Sequence, residues 1–305
     1  MAVLEISHLK KAFGNQIVLD DVSFSVEKSS VFGFIGKNGA GKTTTMNIVL
    51  GLLKAEAGEV KVNGETVTYG DTKTNRFVGY LPDVPEFYSF LTAREYMQLS
   101  LDVSGAKLPG GEKKITDLLE MVGLEDSKKR ISNYCRGMKQ RLGIAQALIN
   151  DPVLLICDEP TSALDPIGRK QLLSVLEKVK EKTTVVFSTH ILSDVEAVCD
   201  EVAILDKGKI VEQGTLSELK GRLSSKKWSA TLETLEEAAQ LKEAMTNSGS
   251  VSNVIQKGRT VEGETMEARQ AIRLVMETLA ALSIVPEKIE RLEPTMEEVF
   301  LEAIK

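Results

Sequence analysis

At 305 residues, with 42% hydrophobic and 27% charged side chains, the chain has enough apolar material for one large core or two smaller ones, which excludes a disordered polymer. A formal charge of −6 excludes broad electrostatic affinity for nucleic acid or anionic lipid, and no apolar run approaches the roughly 18 to 20 residues that cross a bilayer. The three cysteines, Cys135, Cys157 and Cys199, stand far apart without CxxC or histidine-paired spacing, which predicts free thiols rather than a metal site or a disulfide framework.

The run from Met1 to Ile6 enters a strand pattern without the sections of a signal peptide, which predicts a soluble, cytosolic chain. Residues 3 to 26 alternate in strand fashion, as at Val22, Phe24 and Val26, and Val60 to Glu65 reads as a hairpin around an Asn63-Gly64 turn. Together they predict a small antiparallel layer. Between them the apolar run Val31 to Ile35 leads into Gly36-Lys37-Asn38-Gly39-Ala40-Gly41-Lys42-Thr43, followed by a helical stripe of Met46, Val49, Leu50 and Leu53. That order of parts is the Walker A phosphate loop. Its glycines let successive N–H groups point inward, the helix presents its positive end, Lys42 adds a mobile cation, and Thr43 offers a hydroxyl to Mg²⁺. The predicted ligand is a nucleoside triphosphate, bound by residues 36 to 43 and by Thr44.

From about 84 to 150 the pattern is mostly helical, with a capping box at Thr92-Ala93-Arg94-Glu95 and an apolar stripe at Ile115, Leu118, Leu119 and Val122. An apolar strand, Val153 to Cys157, then a helix with Leu172, Val175, Leu176 and Val179, then a strand from Thr184 to Ser188 follow in βαβ order. The first of these strands ends in Asp158-Glu159, the Walker B pattern, which places two acids at the C-terminal edge of a parallel sheet. Asp158 can hold Mg²⁺ through its waters, and Glu159 is placed to polarise the water that attacks the γ-phosphate.

Gly214, Gly221, Ser224 and Ser225 mark a linker, after which strand, helix, strands, helix, strand and a final helix suggest a second domain. Within it Pro294 sits at the expected first turn of a helix bearing Met296, Val299 and Phe300 on one face. The division predicted is 1–218 and 219–305.

The string Ser132-Asn133-Tyr134-Cys135-Arg136-Gly137-Met138-Lys139-Gln140-Arg141, about twenty residues before the Walker B acids, resembles the signature motif of ABC-transporter ATPases. Ser162-Ala163-Leu164-Asp165 is similar to that family's D-loop, and His190 to its switch histidine. The resemblance covers roughly residues 1 to 215 and is nearest to the ATP-binding subunits of the drug and multidrug efflux group. It implies an α/β P-loop NTPase core of the ABC ATPase type, with an antiparallel β layer and a helical subdomain, plus a small α+β C-terminal domain. It also implies ATP and Mg²⁺ as ligands and a homodimer or heterodimer in which the phosphate loop of one chain faces the signature helix of the other. A separate integral membrane permease would hold the chain at the inner face of the cell membrane, with no nucleic acid expected as partner.

By the same resemblance Glu159 is the catalytic base and His190 aligns it, Phe13 stacks on adenine with Val18 lining the same face, and Tyr134 to Met138 meet the nucleotide of the opposite subunit. Two positions depart from the family. Asp83 stands where a Gln or Glu usually reaches the metal, so it either coordinates Mg²⁺ through a water or is a turn residue after Pro82. Cys135 replaces a serine that donates to the γ-phosphate, and Arg136 replaces a glycine, adding a cation near the triphosphate. Phe87, Tyr88 and Phe90 either pack internally or meet the membrane partner. The alternatives are a soluble ABC ATPase acting on the ribosome or on DNA, and a non-hydrolysing binder; the intact acids and His190 count against the latter.

Overall fold

The computed structural model describes residues 2–71, 73–104, 110–223, 227–265 and 271–305; Ser224 and Ser225, read as part of a linker, lie outside them. Two compact units result, one running to Leu216 and including Ala303–Lys305, the other Ser217–Glu302.

In the first unit β1 (Ala2–Phe13) and β2 (Gln16–Glu27) form a long antiparallel hairpin, joined by β4 (Ala57–Val62) and β5 (Glu65–Thr66) in the order β2-β1-β4-β5. The Asn63-Gly64 turn is realised with positive φ at both residues, 50° and 80°, the twist that a two-residue hairpin favours. The main sheet has the order β10-β9-β3-β8-β7-β6. Its parallel strands are β3 (Val31–Ile35), β6 (Val78–Leu81), β7 (Leu154–Asp158), β8 (Thr184–Thr189) and β9 (Glu201–Asp206), with β10 (Lys209–Thr215) antiparallel at one edge. Every residue of β3, β7 and β8 is buried, as expected of strands covered on both faces.

The helix after the phosphate loop, α1 (Lys42–Val49), buries Met46 and Val49 and carries Leu50 at its cap, but stops before Leu53, which packs on the core from the turn beyond. The helical region is α2 (Ala93–Val103), α3 (Gly111–Met121) and α4 (Arg136–Ala147). The predicted capping box is present: Thr92 Oγ1 accepts from Glu95 N–H, and Glu95 accepts from Thr92 N–H. Then α5 (Pro166–Lys180) and α6 (Leu192–Val198) alternate with the strands.

Gly221 is not in a loop but within α7 (Leu216–Arg222). The second unit contains β11 (Lys227–Thr231), α8 (Leu235–Asn247), β12 (Val251–Lys257), β13 (Thr260–Thr265), α9 (Ala271–Ala281), β14 (Lys288–Arg291) and α10 (Met296–Ala303). Its sheet order is β12-β13-β11-β14, all neighbours antiparallel, which with the β-α-β-β-α-β sequence gives a split βαβ unit. Trp228, Ala230, Leu241, Met245, Val261 and Val275 form its core. Pro294 lies outside α10, because Thr295 takes the cap and exchanges hydrogen bonds with Glu298.

Candidate nucleotide-binding and hydrolysis site

Strand β3, flanked by β8 and β9, delivers the phosphate loop to the C-terminal edge of the parallel sheet, where ligands of such sheets bind. Two glycines permit the close approach. A Cβ on Gly36 would stand 2.6 Å from the Leu205 carbonyl oxygen. Gly41 has φ +113°, and a Cβ there would lie 2.7 Å from Leu19 Cδ2 and 3.1 Å from the Val18 carbonyl oxygen. Val18 therefore borders the loop through its backbone. Phe13 lies at the end of β1 and is 51% exposed, with Lys11 Nζ 5.0 Å from its ring centre, so it stands outside the core.

Lys42 is buried and folds back on the loop: Nζ donates to the carbonyl oxygens of Gly36 at 2.7 Å and Lys37 at 3.3 Å, and lies 3.1 Å from Glu159 Oε1. Strand pairing sets Asp158 opposite Ser188. Asp158 Oδ2 accepts from Thr43 Oγ1 at 2.8 Å while its Oδ1 accepts from Ser188 Oγ. A buried carboxylate and two hydroxyls make a hard-oxygen corner of the kind Mg²⁺ takes. Ser188 was not singled out in the sequence as a site residue; its one signal is a hydroxyl at the end of the strand beside the Walker B strand.

Glu159 leaves β7 with φ 48°, a left-handed conformation that costs on the order of 1 kcal/mol or more in a non-glycine residue and is held by its N–H donating to the Ser188 carbonyl at 3.0 Å. The turn aims its carboxylate between two nitrogens. His190 Nδ1 donates to Glu159 Oε2 at 2.8 Å, while Lys42 stands at Oε1. Burial first, then the Asp158 carboxylate, pushes the Tyr80 phenol of β6 up to about 12, which keeps it neutral beside the acids. Burial likewise pushes up the thiols of Cys157 and Cys199. All three cysteines are free, and Cys135 alone of them is exposed.

The signature residues gather at the start of α4. Cys135 occupies the cap position without a side-chain capping bond, Arg136 is the first helical residue, and Tyr134 is buried behind them with Lys129 Nζ 5.7 Å from its ring. Lys129 Nζ also reaches Met138 Sδ at 3.9 Å. A Cβ on Gly137 would be 3.9 Å from Leu164 Cδ2, so the signature helix and the Ser162–Asp165 loop are neighbours within one chain. In that loop Ala163 has φ 53°, and Asp165 caps α5 by accepting from Gly168 N–H at 2.6 Å. Asp83 makes its side-chain and backbone contacts with α4. Its Oδ1 accepts from Arg136 Nη2 at 3.0 Å and its carbonyl oxygen from Gln140 Nε2 at 2.5 Å, because the segment from Leu81 to Pro85 lies along α4.

The ABC transporter family profile matches residues 19–162. The chain is 44% identical over 219 residues to the uncharacterized ABC transporter ATP-binding protein YxlF of Bacillus subtilis (strain 168), covering 72% of each chain. It is 40% identical over 225 residues to the bacitracin transport ATP-binding protein BcrA of Bacillus licheniformis, again 72% of each. Among solved structures, the dimeric ATP-binding cassette MJ0796 bound to ADP and Pi in a post-hydrolysis state superimposes with a TM-score of 0.63 and 25% identity, over 70% of this chain and 98% of that one. Likeness on this scale, falling on a sheet edge where loop, acids and histidine already meet, establishes the chain as a member of the ABC transporter ATP-binding family and an ATP hydrolase.

Proposed function

We propose that this chain is the motor of an exporter: two copies, or this chain and a related one, close head to tail around ATP and drive a separate membrane permease. The observation that carries the reading is that each chain offers one phosphate loop and one signature helix start, Cys135 to Gly137. A helix start directs N–H groups at anions, so a second copy would complete what one copy lacks. The dimer recorded for MJ0796 supports that assembly. The similarity to the bacitracin transport ATP-binding protein BcrA supports the export reading. No helix among the described residues is long and apolar enough to cross a membrane. We place the chain on the cytoplasmic side, held by its permease.

In hydrolysis, Lys42 would exchange Glu159 for phosphate oxygens, and the loop amides would cradle the remaining charge. Thr43 and Asp158 would hold Mg²⁺, which neutralises charge on the phosphates. Glu159 accepts the proton of the attacking water, and His190 keeps the carboxylate oriented. Tyr88 and Phe90, 57% and 62% exposed, lie with ring centres 6.0 Å apart and planes tilted by 39°, while Phe87 packs edge-on against Tyr96. The exposed pair is the proposed permease contact.

Affinity capture of the full chain from detergent-solubilised cells of its source, with a salt wash and mass spectrometry, is expected to retain a polytopic membrane protein. Retention of ribosomal or DNA-repair proteins, with no membrane protein in any of several mild detergents, would replace the transporter reading with a soluble one.

A further inference from the structure

We propose that Asp83 and Arg136 form an exchangeable latch: Asp83 holds the signature arginine on its own subunit, and the triphosphate bound by the partner subunit competes for it. The proposal rests on the head-to-tail assembly above. Arg136 Nη2 lies 3.0 Å from Asp83 Oδ1 and 3.5 Å from Ser162 Oγ, so one guanidinium joins the segment after β6, the start of α4 and the loop before α5. As the first residue of α4 it puts a cation at the positive end of a helix, where an anion is needed nearby. Asp83 supplies one charge. A triphosphate supplies several.

The pair is easily exchanged, because its side chains are 41% and 47% exposed and an ion pair in that setting contributes at most about 1 kcal/mol. The backbone around Asp83 is held independently of its carboxylate. Gln140, fully buried, donates to the Asp83 carbonyl, and Leu81 and Pro85 pack over Gly143 of α4 so closely that a Cβ there would meet Leu81 at 2.4 Å. Removing the charge of Asp83 therefore leaves the segment in place and frees Arg136.

The test is the Mg·ATP concentration that half-associates the full chain, measured by sedimentation velocity in a Glu159→Gln background, with thermal melts to confirm that each variant is folded. Asp83→Asn is expected to lower that midpoint about two- to fivefold, the factor equivalent to a surface ion pair. Arg136→Ala should raise it, and Asp83→Asn added to Arg136→Ala should then have no effect. An unchanged or raised midpoint in Asp83→Asn overturns the latch, as does an equal lowering in the Arg136→Ala background. A chain that binds a fluorescent ATP analogue yet never associates overturns the head-to-tail reading itself, and the exchange with it.

Discussion

Glu159→Gln is expected to lower steady-state ATP turnover by about 10² to 10⁴-fold, the usual worth of a positioned general base, with ATP affinity unchanged or tighter. The amide keeps the shape of the carboxylate, and its oxygen still accepts from His190 Nδ1, now 2.8 Å from Oε2. What it loses is the capacity to take a proton from water. Binding does not suffer, because Lys42, 3.1 Å from Oε1, is released from a competing anion and becomes free for phosphate. Equilibrium binding and single-turnover hydrolysis separate the two effects. Turnover within about tenfold of the wild type would remove Glu159 from the role of base.

Lys42→Ala is expected to weaken ATP binding about ten- to a hundredfold, since hydrogen bonds to a charged group are worth about 1.5–3 kcal/mol. The Lys42 side chain is 6% exposed and donates to two loop carbonyls, so its loss leaves those oxygens unpaired and strips Glu159 of a cation. A lowered melting temperature should accompany the lost affinity, whereas Glu159→Gln, which retains the His190 contact, should melt near the wild type. Isothermal titration with ATP and a thermal melt check both halves. Wild-type affinity in a folded Lys42→Ala protein would mean that phosphate is held by the loop amides alone.

The features legible in the sequence are those whose chemistry is local. The phosphate loop, the Asn63-Gly64 turn and the Thr92 capping box each sit within a few residues, and each is found where its spacing predicts. The features that were not legible join residues remote in sequence. Ser188 reaches Asp158 only because β7 and β8 pair in that register, and Arg136 meets Asp83 across 53 positions because the segment after β6 lies along α4. Strand β6 has only four residues, and the β9–β10 hairpin returns at the sheet edge; both escaped a reading built on longer runs. At Pro294 the rule favouring proline in the first turn competed with a better cap, the Thr295–Glu298 exchange, and the cap prevailed.

The most direct test of the central claim, that two chains share each hydrolysis site, is specific ATPase activity measured across a wide range of chain concentration at saturating Mg·ATP. Activity per chain that climbs with concentration and then levels off, as a reversible dimer requires, is the predicted result. Activity per chain that stays constant down to concentrations at which sedimentation finds only monomer would contradict it.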